Sequence, residues 1–170
     1  MLQVGNNLFS DTLGEFEEKT HFALWAFAKA PLFIGTDLAN RTATDPAIKI
    51  LSNEELISVN QEPKNKMAFK DETFKRTDKN IIDVYRSSVF KKDGAYIALL
   101  FVNWGYSNST EVTYNFLDGK IANNKHDSCT VVDMYGDGTP VKVTAENPYK
   151  IADSIPGHGN AAIRVKCLPF

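Results

Sequence analysis

KTHFALWAFAKAPLFIGTDLANRTATDPAIKILSNEELISVNQEP, residues 19–63, decides how the chain is read. Leu24, Phe27 and Ala28 continue a helical spacing begun by Leu13, Phe16, Thr20 and Ala23, which gives one apolar face that must be buried against a neighbour. Thr12 and Glu15 have capping-box spacing, Glu15, Glu17 and Glu18 set negative charge at the positive end of the helix dipole, and Pro31 is the expected stop. Leu32, Phe33 and Ile34 then form an apolar run ending at Gly35, the pattern of a parallel strand covered on both faces. Asp45-Pro46 is a helix start with the proline at its first position, and Ser52 with Glu55 repeats the capping spacing, so two short helices with a break near Ser52 and Asn53 are expected. Helix, buried strand, helix is the alternation of an α/β layer.

Beyond this stretch the texture changes. Residues 64–79, KNKMAFKDETFKRTDK, are dense in charge and poor in aliphatics, which suits a linker that Phe69 and Phe74 could dock onto a neighbour. Short strands follow at 82–90, 95–102, 111–116, 129–134, 141–144, 149–155 and 161–167. Lys91-Lys92-Asp93-Gly94 makes a hairpin turn, AYIALLFV at 95–102 reads as a central strand, and Val112, Tyr114 and Phe116 alternate onto one face. This spacing predicts an antiparallel β-sandwich. The expected fold class is an α/β fragment followed by an all-β antiparallel sandwich, divided as 1–63, a linker at 64–76, and 77–170.

Composition narrows the function. Of 170 residues, 43% are hydrophobic and 24% charged, a globular balance, and the net charge of −2 offers no electrostatic footprint for nucleic acid or an anionic membrane. No apolar run approaches the roughly 18 to 20 residues needed to span a bilayer, and residues 1–16 lack the basic start and apolar core of a signal peptide. Cys129 and Cys167 fit no zinc or redox spacing, and the histidines at 21, 126 and 158 are scattered, so no metal site is expected. The two cysteines are either buried thiols or a disulfide tying the last strand to the sandwich. Asn40-Arg41-Thr42 and Asn108-Ser109-Thr110 are glycosylation sequons, and together with the cysteines they point to a secreted parent.

Residues able to carry chemistry are sparse. The sequence has no glycine-rich phosphate loop, GxSxG, HExxH or DxDxDG motif. Asp37 would stand at the carboxyl end of the apolar strand, where barrel active sites are built, but as a single carboxylate it reads as the organiser of its own loop. His21, Trp25 and Phe27 read as packing residues of the first helix, and His158 in Pro-Gly-His-Gly as a turn residue. Trp104 and Tyr106 are the aromatic pair that could offer a sugar platform.

Several stretches carry a resemblance. Met1-Leu2, Gly5-Asn6, His21 to Ala26, Lys29 to Gly35 and Ser58 to Pro63 resemble the end of the catalytic barrel of glycoside hydrolase family 27, the α-galactosidases. That family runs from Trp-Asn-Asp-Pro-Asp-Met-Leu into Gly-Asn, then His-Phe-x-Leu-Trp-Ala, Lys-x-Pro-Leu-x-Ile-Gly and Ala-Ile-Asn-Gln-Asp-Pro. Ser58 and Glu62 depart from the last of these. CTVVDMY and IPGHGNAAIRV resemble two strands of the family's sandwich more loosely. The resemblance implies the closing seventh helix, eighth strand and eighth helix of a (β/α)₈ (TIM) barrel plus a C-terminal sandwich, in a retaining hydrolase of terminal α-D-galactosyl groups. It calls for no cofactor, and for a galactoside, not nucleic acid or membrane, as partner. The nucleophile and acid/base of the family lie on its fourth and sixth barrel strands, before the residue matched by Met1, so no catalytic residue is expected in this chain. Met1 alone matches a sugar-contacting position. The competing expectations are a non-catalytic β-sandwich scaffold or carbohydrate-binding module, and an α-N-acetylgalactosaminidase of the same family.

Overall fold

The computed structural model describes residues 1–6, 13–74 and 81–168. Among the described residues three helices, α1 (Glu15–Phe27), α2 (Pro46–Leu51) and α3 (Glu54–Gln61), precede eight strands. These are β1 (Phe69–Lys70), β2 (Ile82–Lys91), β3 (Gly94–Asn103), β4 (Val112–Tyr114), β5 (Ser128–Asp133), β6 (Val141–Thr144), β7 (Tyr149–Ala152) and β8 (Asn160–Leu168). A six-stranded antiparallel sheet runs β1-β2-β3-β8-β5-β6, and β4 pairs with β7 in a second, two-stranded sheet.

The large sheet is covered on both faces, which explains why β3 is apolar along nearly its whole length. Ala98, Leu100 and Val102 pack with Phe22, Phe27 and Leu56 of the helical layer. The alternate residues Leu99 and Phe101 pack with Val112, Tyr114 and Phe116 on the other side. A strand with period-two side chains feeding two cores cannot keep a polar face. The Asp93-Gly94 hairpin and the strands from 82 onward follow the sequence expectation, while β1 falls inside the expected linker.

That linker segment is bonded to both layers. The Asn65 amide donates to the carbonyls of Ser58 and Val59, each at 3.0 Å, and accepts from the Phe90 N–H at 2.8 Å. The Ala68 N–H donates to Phe27 O at 2.9 Å, and Phe74 packs edge-on to Phe101.

Helix boundaries differ from the expectations in three places. Thr12 lies outside the described residues. Glu15 is already the first residue of α1, and the N-cap is Gly14, whose N–H is held by the Glu17 carboxylate at 2.8 Å. At the other end α1 stops at Phe27, ahead of Pro31, because Lys29 turns left-handed (φ 53°); the Lys29 ammonium instead caps the end of α3, at the carbonyls of Asn60 and Glu62, 2.7 and 2.9 Å away. Asp45 caps α2 as expected, by accepting from the Ala47 N–H. The cap of α3 is Asn53 in place of Ser52. Its Oδ1 accepts from Leu56 N at 2.9 Å while its Nδ2 donates to Met134 O at 2.9 Å, joining helix to sheet. Asn53→Ala should therefore cost about 1–2 kcal/mol in urea denaturation, above an ordinary cap loss. A loss indistinguishable from zero would contradict both bonds.

Leu32, Phe33 and Ile34 do not form the strand buried on both faces that their apolar run predicts. Ile34 makes a single parallel bridge to Leu2, and Phe33 and Ile34 are 67% and 44% exposed. One partner is supplied from within the chain, and among the described residues no further strand stands beside it.

Candidate functional site

The first six residues lie along this parallel edge, fixed by bonds on both sides. The Leu2 N–H donates to Phe33 O at 2.7 Å and the Gly35 N–H returns to Leu2 O at 3.1 Å. Position 35 must be glycine, since a Cβ there would stand 2.7 Å from Leu2 O. The Thr36 hydroxyl donates to Val4 O. Gly5 adopts a left-handed backbone (φ 71°) with no room for a side chain against Ala47. Its N–H donates to Glu18 Oε1 at 2.6 Å, and its carbonyl accepts from Arg41, which also holds Asp45 at 3.0 Å. Burial pushes the Glu18 carboxyl up, opposed by the Gly5 N–H and the Arg41 charge.

Met1 packs beside Gly35 and is itself 68% exposed. Asp37 organises its own loop, as its lone position suggested: Oδ1 accepts from Ala39 N at 2.9 Å, and its carbonyl accepts from Arg41 Nε. The edge thus holds its carboxylates in structural bonds, and Met1, Phe33, Ile34 and Leu38 along it are large apolar residues left exposed.

His21 supports the edge from α1. Its Nε2 accepts the Gln3 N–H at 3.2 Å, so the ring is neutral in this arrangement, and burial holds its pKa below the usual 6.5. The unfolded chain then binds the proton more readily than the folded one. Stability from neutral His21 is complete above the unfolded value and is lost as pH falls through the folded value. Urea midpoints should drop as pH falls below the usual histidine value of 6.5, with a shallower drop in His21→Gln. An identical pH dependence in the two proteins would contradict this role.

A second feature lies where α1 meets the loops of the sandwich. A cavity of about 290 Å³ is lined by residues that include Glu17, Thr20, His21, Trp104 and His158. His158 does occupy a left-handed turn position (φ 56°), as its setting implied, but its Nδ1 also pairs with Glu17 Oε1 at 2.7 Å. The Gly14 N–H and His158 together hold the Glu17 carboxyl below its usual range. Tyr106 does not share a platform with Trp104: its ring packs on His158 at 4.8 Å and is otherwise in solvent, whereas Trp104 faces the cavity. The role of Glu17 was not legible in the sequence, because its partner is 141 residues away.

Cys129 and Cys167 form a disulfide at directly opposed positions of β5 and β8, which resolves the two sequence alternatives. Asn40 and Asn108 both lie at exposed positions. Among the described residues no cluster of three or more His, Cys, Asp or Glu is placed to hold a metal, and no helix is long and apolar enough to cross a membrane.

No protein-family profile matches the chain. Curated proteins do. Alpha-galactosidase 3 of Arabidopsis thaliana is 47% identical over 64 residues, 37% of this chain and 13% of that protein. The alpha-galactosidase of Coffea arabica is 33% identical over 114 residues, 67% of this chain and 26% of its own length. Over part of its length the chain is similar to α-galactosidases of the glycoside hydrolase family 27 type. It spans about a quarter or less of the length of these curated relatives. A putative alpha-galactosidase/melibiase from Bacteroides fragilis shares the fold, with a TM-score of 0.71 at 22% identity over 98% of this chain and 33% of that one.

The segments that resemble α-galactosidases prove to touch one another. Lys29 donates to the carbonyls of Asn60 and Glu62, and the Asn60 amide returns to Ala30 O at 2.8 Å. His21 holds Gln3, beside Met1-Leu2. What reads as separate sequence motifs is one bonded unit around the parallel edge.

Proposed function

We propose that this chain is the C-terminal portion of a secreted, retaining α-galactosidase that hydrolyses terminal α-D-galactosyl residues of galactosides. In this reading residues 1–63 are the last βα units of its (β/α)₈ barrel, 64–76 the connection and 77–170 the sandwich, with Asn40 and Asn108 as glycan sites and Met1 at the sugar. The observation that carries the proposal is the parallel register of Leu2 with Ile34 on a helix-backed edge. Parallel pairing belongs to sheets whose strands are joined by helical crossovers. The exposed Met1, Phe33, Ile34 and Leu38 suit the face against which further barrel strands would stand.

A retaining mechanism needs a nucleophile and an acid/base roughly 5 Å apart. The family resemblance sets both on strands outside this chain, so the chain alone should not turn over an aryl α-galactoside. Hydrolysis above background would overturn that reading. Reading the encoding DNA upstream of Met1 tests the parentage: an in-frame Trp-Asn-Asp-Pro-Asp and earlier barrel strands are expected, and an in-frame stop directly upstream would contradict it. The product of the longer frame, assayed with aryl α-galactoside and aryl α-N-acetylgalactosaminide, then decides sugar specificity.

A further inference from the structure

We infer that the cavity between α1 and the loops following β3 and β7 is a carbohydrate site that holds one neutral pyranose ring against Trp104. The cavity, about 290 Å³, is of a size for a single sugar ring and not an oligosaccharide. Trp104 is 41% exposed on its wall, giving an indole surface for the C–H face of a sugar, with Leu13 and Leu24 continuing the apolar side.

The polar side is braced from two directions. Glu17 is fixed by the Gly14 N–H and by His158 Nδ1, at 2.8 and 2.7 Å. The His158 ring is backed by Tyr106, and its carbonyl accepts the Thr20 hydroxyl, which in turn accepts from the Asn160 amide at 3.0 Å. These bonds leave lone pairs on the Glu17 carboxylate, and among the described residues leave His158 Nε2 without a partner. A carboxylate beside an imidazole offers acceptors and a donor or acceptor, which matches hydroxyls that do both. Among the described residues no lysine or arginine lines the cavity, which argues against a phosphate or sulfate ligand.

This inference does not depend on the hydrolytic reading, because its test measures binding by the 170-residue chain and not turnover. Saturation-transfer NMR with methyl α-galactoside and methyl α-glucoside should give saturable binding, half-maximal on the order of millimolar. Trp104→Ala should weaken it about tenfold or more, and Glu17→Gln should also weaken it several-fold while preserving the helix cap. In Trp25→Phe, the fluorescence of the remaining indole, Trp104, should shift with the same half-saturation. Absence of saturable binding for both glycosides up to about 100 mM, or affinity unchanged in folded Trp104→Ala, would overturn the inference. If Trp104→Ala loses its circular-dichroism melt, Glu17→Gln decides: weakened binding supports the site and unchanged binding rejects it.

Discussion

Phe101→Ala should lower the stability of the chain by about 3–5 kcal/mol, the range for emptying a fully buried aromatic site. Phe101 is 0% exposed at the centre of β3, opposite Val84 on β2 and Ala161 on β8. Its ring meets Phe74 and Tyr114 edge-on, with centroids 6.1 and 5.7 Å apart. Tyr114 cannot move in to fill the void, because its hydroxyl is bonded to the buried Asp71 carboxylate, an arrangement that together with burial pushes its pKa upward. Loss of Phe101 would therefore leave most of its volume as cavity. Thermal unfolding should shift down by about 6–20 °C. A shift of a degree or two would mean that the two sheets close over the gap.

Removing the disulfide by Cys129→Ala with Cys167→Ala should cost about 3–4 kcal/mol. The bond closes a loop of 38 residues, and loop-closure entropy for a ring of that size gives about that figure. The closed loop takes in most of β5, all of β6 and β7 and nearly all of β8, and its two ends stand at opposed positions of the β5–β8 ladder. Urea denaturation with and without reductant should show the wild type falling to the stability of the double variant. Equal stability of oxidised and reduced protein would contradict the bond.

Most strand positions in the second half could be read from the chain because period-two alternation and the Asp-Gly turn are local signals. Val112, Tyr114 and Phe116 went to one core as their spacing required. The short β1 escaped notice since a two-residue strand carries no periodicity, and Phe69 is exposed. The caps at Gly14 and Asn53 were missed because Thr12–Glu15 and Ser52–Glu55 offered equally good spacing. A glycine cap leaves no side-chain signal, and Asn53 is favoured by its second bond to Met134. For the candidate sites, the sequence singled out Met1 and Asp37 one at a time, paired Trp104 with Tyr106 and read His158 as a turn residue, without showing which of them share a cavity.

The division of labour has a physical basis. By itself the sequence determined the helix–apolar run–helix start, the alternating strands after it and the family resemblance, all properties of residues within a few positions of each other. Only the tertiary structure decided that Leu2 returns to pair with Ile34, that Glu17 meets His158, and that Cys129 bonds Cys167. It also decided that Phe33 and Ile34, apolar enough for a buried strand, stand in solvent. Burial is a property of what packs against a residue, and the apolar run of 32–34 specifies only the kind of neighbour it needs, not whether one is present.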